Sequence, residues 1–235
     1  YFPPEEWELA KKRLPERIFK QNYKAEFLDD AASVFRNIRQ IIHADCLQDA
    51  QVGKQYVMGV DLGRHEDFTV LTVIDKSSHK VVYIDRFKEI DYVFQKKRIL
   101  AIAERYNHAR IVIDVSNIGD PIAEDLRREG LIVDAFKFSG SHKKELIEKL
   151  AIYIEQGKIS IPPKEFLIDE LESFTYELTP SGQVKYSAPE GCHDDAVISL
   201  ALAVWALGPK PTEVSPIKQE IFKRQRSRQT RYEYI

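Results

Sequence analysis

Four aspartates stand where apolar segments begin or end, and their placement suits a shared metal site. Asp61 closes the run Tyr56 to Asp61 (YVMGVD), Asp114 lies near the end of Arg110 to Val115 (RIVIDV), and Asp194 and Asp195 open His193 to Leu207 (HDDAVISLALAVWAL). If the first two runs are adjacent parallel strands, Asp61 and Asp114 project from one edge. A helix packed across that edge brings Asp194 and Asp195 to the same place. Like charges in a partly desolvated site raise one another's pKa, a conflict that divalent cations remove. Carboxylate oxygens are the hard ligands preferred by Mg2+ and Mn2+. Two such ions, about 4 Å apart, activate a water and stabilise the leaving 3′ oxygen of a phosphodiester. The constellation therefore points to phosphodiester hydrolysis. Taken singly, each aspartate has a plainer reading, as a turn former at Asp61 or Asp114, or as a cap for the closing helix at Asp194 or Asp195. Their joint order favours chemistry.

Further candidates surround this set. Asp67, at the start of the next run, is either a contact to a second metal or a turn cap. His193 is a candidate for bonding a phosphate or carboxylate, or an ordinary exposed histidine. Asp114 to Asp120 (DVSNIGD) leads into a helix N-terminus, where free amides favour anions. Lys143 and Lys144, at the entrance to another helix, are candidate contacts to a DNA backbone, with a solvated helix face as the alternative. Lys185 lies with Tyr176 and Tyr186 on a hairpin that is either a flap over a substrate groove or an extension of the sheet.

The elements that must position these residues are legible as changes of period. Tyr56 to Asp61, Phe68 to Asp75 and Lys80 to Phe87 are β-branched and aromatic runs separated by turn residues, which predicts an antiparallel meander. Asp91 to Asn107 has helical spacing, and Arg110 to Val115 is the continuous apolar run of a strand covered on both faces. A helix over Asp120 to Gly130, a strand over Leu131 to Phe136 and an amphipathic helix over Ser141 to Gly157 follow, both helices ending at glycine. Ser173 to Leu178 and Gln183 to Ser187 form a hairpin before the closing helix. The fold class is α/β, a mixed sheet flanked by helices.

Whole-chain properties set bounds. The 235 residues are 43% hydrophobic, enough for one substantial core with flanking segments. Thirty-five basic and 37 acidic residues give a net charge of -2, so nucleic-acid contact calls for a local basic patch. Cys46 and Cys192 lack the paired spacings of zinc sites or disulfide frameworks, which favours reduced thiols. No apolar run approaches the roughly 20 residues of a membrane span. We expect three regions: 1–50, charged and forming two or three short helices; 51–208, the main domain; and 209–235, a basic tail with Lys218, Lys223, Arg224, Arg226, Arg228 and Arg231.

Four segments resemble the terminase large subunits of tailed bacteriophages and herpesviruses. They are YVMGVDLGRHEDFTVLTVID, RIVIDVSNIGDPIAEDLRREG, SHKKELIEKLAIYIEQGKISIPP and YSAPEGCHDDAVISLALAVWA. Gln21 to Phe35 (QNYKAEFLDDAASVF) is similar to the stretch that follows the ATPase domain in that family. The resemblance implies an RNase H-like (RuvC-like) fold with an inserted β-hairpin. It also implies an endonuclease that cuts concatemeric viral DNA during genome packaging, with Mg2+ or Mn2+, two ions, as cofactor. The family's first two metal-binding carboxylates carry over to Asp61 and Asp114, and its third to Asp194 or Asp195. Implied partners are double-stranded DNA, a terminase ATPase domain, the small terminase subunit and the portal, in the cytoplasm of the infected host cell and without a membrane. Residues 1–50 then read as the linker from that ATPase domain. No Gly-Lys-Ser/Thr phosphate loop occurs in the sequence, so the motor lies outside this chain.

Rival readings are another RNase H-like nuclease, such as a Holliday-junction resolvase, and a non-catalytic module docking DNA or portal. The Gly59 to Gly63 stretch (GVDLG) also resembles the first phosphate strand of actin-like ATPases, but the second glycine-rich motif of that fold is missing.

Overall fold

The computed structural model describes residues 7, 8, 11, 33–63, 67–88, 91–116, 119–178 and 184–208. The expected basic tail lies outside them, as does most of the expected N-terminal helical region. The described part of that region holds a 3-10 turn, Ile38–Ile41. Its Val34, Phe35, Ile38 and Ile41 are buried in the same core cluster as the main sheet.

Five strands form the central sheet: β1 (Tyr56–Asp61), β2 (Thr69–Asp75), β3 (Val81–Phe87), β4 (Arg110–Asp114) and β5 (Val133–Phe136), in the order β3-β2-β1-β4-β5. The first three make the antiparallel meander, while β4 pairs parallel to β1 and β5 parallel to β4. Helices α1 (Tyr92–Arg105), α2 (Gly119–Arg128), α3 (Gly140–Glu155), α4 (Glu165–Ser173) and α5 (Asp195–Ala206) flank it. Asp91 caps α1 by accepting the Val93 amide at 2.7 Å, and Ser139 caps α3 by accepting that of His142 at 3.3 Å. Gly130 (φ 90°) and Gly157 (φ 60°) follow α2 and α3 in the left-handed region, as glycine stops require. Among the described residues no helix is long and apolar enough to cross a membrane.

Two departures from the sequence reading matter for the site. Helix α4 was not among the expected elements, although Leu167, Ile168 and Leu171, all buried, have helical spacing after Pro162 and Pro163. The hairpin strands β6 (Thr175–Leu178) and β7 (Val184–Ser187) form a separate two-stranded sheet, so the alternative of sheet extension is not what is observed.

Strand parity decides which side chains face the site. Successive residues of a strand point to opposite faces. In β1, Tyr56, Met58 and Val60 pack with α1 and α2, as do Ile111 and Ile113 of β4. Val57 and Val112 have the opposite parity and pack in the cluster with α3 and α5. Gly59, Asp61 and Asp114 share that parity, so both aspartates are directed to the α5 face. The pairs Gly59↔Val112 and Val60↔Ile113 put Asp61 and Asp114 at the same end of neighbouring parallel strands.

Helix α5 crosses β1 at Gly59 with almost no separation. A Cβ at Gly59 would stand 2.0 Å from the Ser199 carbonyl oxygen and 2.4 Å from the Ala203 nitrogen. Ser199 Oγ donates to the Gly59 carbonyl at 3.0 Å and lies 2.8 Å from Thr72 Oγ1. These contacts fix how far along the sheet the helix sits. A Gly59→Ala variant should consequently lose about 3 kcal/mol of stability, since backbone and not a flexible side chain opposes the added methyl. Thermal and urea unfolding would check this, and a loss below about 1 kcal/mol would show that α5 can slide.

Candidate metal centre

The contact at Gly59 generates the site. Asp61 lies two residues beyond Gly59, on the same face of β1. Asp195 lies one helical turn before Ser199, on the same face of α5. Two strand residues and one helical turn cover nearly the same length, about 6 Å, so the register at Gly59 brings the two carboxylates together. Asp114 joins them from β4.

Electrostatics reports the convergence. Burial raises the pKa of Asp61 well above the ordinary range, and the charges of Asp195, Asp114 and Asp194, in that order, raise it further while Lys143 lowers it. Burial likewise raises Asp114, against hydrogen bonds from Ser116 and the charge of Lys143. Asp195 is pushed up to about 6, first by burial and then by Asp194, with Asp67 adding to the effect and the Phe68 amide and His193 opposing it.

Three of the carboxylates have a polar neighbour. Asp114 Oδ1 accepts the Ser116 amide at 2.8 Å and its hydroxyl at 2.6 Å, and Ser116 Oγ accepts the Phe138 amide at 2.8 Å. Asp194 Oδ2 accepts from Lys143 Nζ at 3.3 Å. Asp195 Oδ2 lies 3.5 Å from His193 Nδ1 but is buried without a hydrogen-bond donor. Although Asp194 occupies the N-cap position of α5, its side chain makes no capping hydrogen bond. The plain reading of Asp194 as a helix cap therefore does not describe this structure.

The remaining candidates divide by position. Asp67 is exposed in the bend before β2, near enough for its charge to raise Asp195. His193 is 43% exposed and packs edge-on against Phe68, with ring centroids 5.0 Å apart. Lys143 belongs to the carboxylate cluster itself, whereas Lys144 turns away and pairs with Glu148 at 3.9 Å. Lys185 is exposed on β7, in register with Glu177. Of DVSNIGD, Asn117 and Ile118 lie outside the described residues. Sequence reasoning did not identify Ser116 as the residue orienting Asp114, the Phe68 amide on Asp195, or Glu170, which accepts the Ala196 amide at 2.8 Å. Ser116 follows Asp114 by two residues, a spacing typical of Asx turns, so it was open to notice. The other two contacts span distant segments.

The donor set fits a hard divalent cation. It consists of carboxylate oxygens, one of which, Asp195 Oδ2, is buried without a donor. Among the described residues no three His, Cys, Asp or Glu side chains yet close on one point as ligands. Ser116 and Lys143 hold two of the carboxylates in the meantime.

A five-stranded mixed sheet of this order, with aspartates at the ends of β1 and β4 and on a helix laid across them, defines an RNase H-like protein. A family model described as the Terminase RNaseH-like domain matches residues 58–207, and the chain belongs to that family. The terminase large subunit of Thermus virus P23-45 is 33% identical over 208 residues, which are 84% of this chain and 43% of that protein. This chain thus spans less than half the length of the curated relatives it matches. Among solved structures, the large terminase nuclease of thermophilic phage G20c matches at 32% identity with a TM-score of 0.68, covering 73% of this chain and 97% of that one. The same nuclease with bound magnesium matches with a TM-score of 0.69 at 31% identity, covering 75% and 98%.

The raised carboxylates carry a stability cost with a definite sign. Between about pH 4, where free aspartate titrates, and about 6, where Asp195 does, the folded state holds more protons than the unfolded one. The stability that protonated Asp195 contributes is therefore fully present at low pH and is lost as pH rises through about 6. In EDTA, Asp195→Asn, which keeps an acceptor for the Phe68 amide, should gain on the order of 1 kcal/mol over the native protein at pH 7.5 and little at pH 4. Thermal melts at both pH values test this, and a variant less stable than the native protein at pH 7.5 would contradict the assignment.

Proposed function

We propose that this chain is the nuclease portion of a phage terminase large subunit, an endodeoxyribonuclease that cuts concatemeric viral DNA during genome packaging. The observation that carries the reading is the convergence of Asp61, Asp114 and Asp195, with Asp194 beside them, at one edge of the sheet. Family membership supports it, as does a relative whose solved structures hold magnesium, cobalt and zinc.

In this reading Asp61, Asp114, Asp195 and Asp194 would hold two Mg2+ or Mn2+ ions, and Asp67 would contact the second. When bound, the ions supply activation of water and charge stabilisation at the scissile phosphate. The chain's own groups do the positioning. Ser116 fixes the lone-pair direction of Asp114. Lys143 offsets the negative charge of the cluster and adds positive charge that a phosphate backbone would favour. His193 and, farther out on the hairpin, Lys185 extend the contact with duplex DNA, whereas Lys144 of α3, paired with Glu148, does not point to it. The whole protein would add an ATPase domain and engage the small subunit and portal, in the cytoplasm of the infected cell.

Plasmid cleavage by the purified chain in Mg2+, Mn2+ or EDTA tests the reading. Nicked and linear DNA should appear only with metal, and Asp61→Ala should lower the rate by about two orders of magnitude or more. Equal cutting by that variant, or cutting in EDTA, would refute the assignment.

A further inference from the structure

The N-terminus of α5 has four amides without intrahelical partners, those of the N-cap Asp194 and of Asp195, Ala196 and Val197. An aspartate at the N-cap normally satisfies one of them. Here Asp194 does not, because its carboxylate is turned to Lys143. The missing acceptor comes from another helix. Glu170 of α4 is 5% exposed, and its Oε2 accepts the Ala196 amide at 2.8 Å, with the Val197 amide also directed at the carboxylate.

Glu170 is backed by an ion pair in which its Oε1 accepts no hydrogen bond. Its Oε1 lies 3.3 Å from Arg86 Nη2 on β3, an ion pair whose side chains are only 7% and 18% exposed. The Arg86 guanidinium sits 3.7 Å above the Phe68 ring and 5.3 Å from that of Phe166. Phe68 in turn lies close enough for its amide to lower the pKa of Asp195, and its ring packs against His193. One buried pair thus supports both the start of α5 and a residue close to Asp195.

We propose that Glu170, backed by Arg86, is a positioning residue of the site: it caps α5 from a neighbouring helix and so frees Asp194 and Asp195 to face Asp61. A local cap and a metal-directed carboxylate make incompatible demands on one aspartate, since the same oxygen lone pairs serve both. Supplying the cap from α4 removes the competition. Burial raises the Glu170 pKa to about 7 against the Ala196 amide and the Arg86 charge, and where the carboxylate is ionised it also suits the positive end of the helix dipole.

This inference rests on the nuclease reading for its consequence but not for its test. Glu170→Gln keeps an acceptor oxygen for the Ala196 amide. The paired replacement Glu170→Leu with Arg86→Met removes the cap without stranding a buried charge, a change that folded proteins commonly tolerate. Hydrogen exchange in EDTA, without DNA, reads the cap directly. In the paired variant the Ala196 and Val197 amides should exchange about five- to tenfold faster while those of β2 keep native protection, and Glu170→Gln should stay close to native. Calorimetry should then show Mn2+ binding weakened about tenfold in the paired variant and largely restored in Glu170→Gln. Unchanged exchange at α5, or an equal rise throughout β2, would overturn the proposal, as would faster exchange with native Mn2+ affinity. If the native protein neither binds Mn2+ nor cuts DNA, the nuclease reading and the positioning role both fall, while the exchange data still decide whether Glu170 caps α5.

Discussion

At Gly59 the backbone of α5 lies against the backbone of β1, and the position of everything at the sheet edge follows from that contact. A side chain there would collide with Ser199 and Ala203 main-chain atoms, so only glycine allows the approach. Close approach gives Ser199 Oγ its bond to the Gly59 carbonyl, which fixes translation along the strand. Because α5 is apolar on every side and buried almost throughout, hydrophobic packing alone would not choose one register over another. The polar contact at Ser199 and the lack of a Cβ at Gly59 make that choice. Asp61 and Asp195 meet as a result.

Much of this was readable in the sequence because it rests on local periodicity. Asp61 and Asp114 ended runs whose apolar character marked them as internal strands, and parity then assigned both to one face. The five strands and four of the five helices were visible for the same reason. What escaped notice depended on pairing between distant segments. Helix α4 is short and starts directly after two prolines, and its role turns on Glu170 meeting α5 across 26 residues of chain. Lys143 and Lys144 were equivalent as letters, but one helical step rotates them by about 100°, so only Lys143 reaches the aspartates. Asp194 and Asp195 were also equivalent in sequence. Fold geometry separates them: Asp195 weighs most on Asp61, and Asp194 is paired with the lysine.

The two ends of α5 are held by charges of opposite sign. Glu170 serves its N-terminal amides. At the other end Arg110 Nη1 donates to the Ala206 carbonyl at 3.3 Å and to that of Gly208 at 3.4 Å, and Lys149 Nζ donates to that of Trp205 at 3.2 Å. A carboxylate at the start, whose pKa burial raises to about 7, and cations at the end match the helix dipole when all are charged. Burial pushes the Lys149 ammonium below its ordinary pKa, so its placement has a cost that the carbonyl contact helps offset. A helix clamped at both ends and in the middle cannot relieve repulsion at Asp61 by tilting away.

That rigidity explains why the carboxylates remain together despite their mutual charge. A cluster free to relax would separate, and a cation would then have to repay the work of assembling its ligands before gaining affinity. Here the scaffold has done part of that work in advance, bringing the carboxylates within range of one another's charge though not onto one point, at the expense of its own stability near neutral pH. The exposed members of the site, Asp67 in its bend and His193 before α5, lie outside the clamp. A division follows between groups fixed by the sheet and α5, which set where positive charge is bound, and groups on the approaches, which are free to adjust to the shape of an arriving strand.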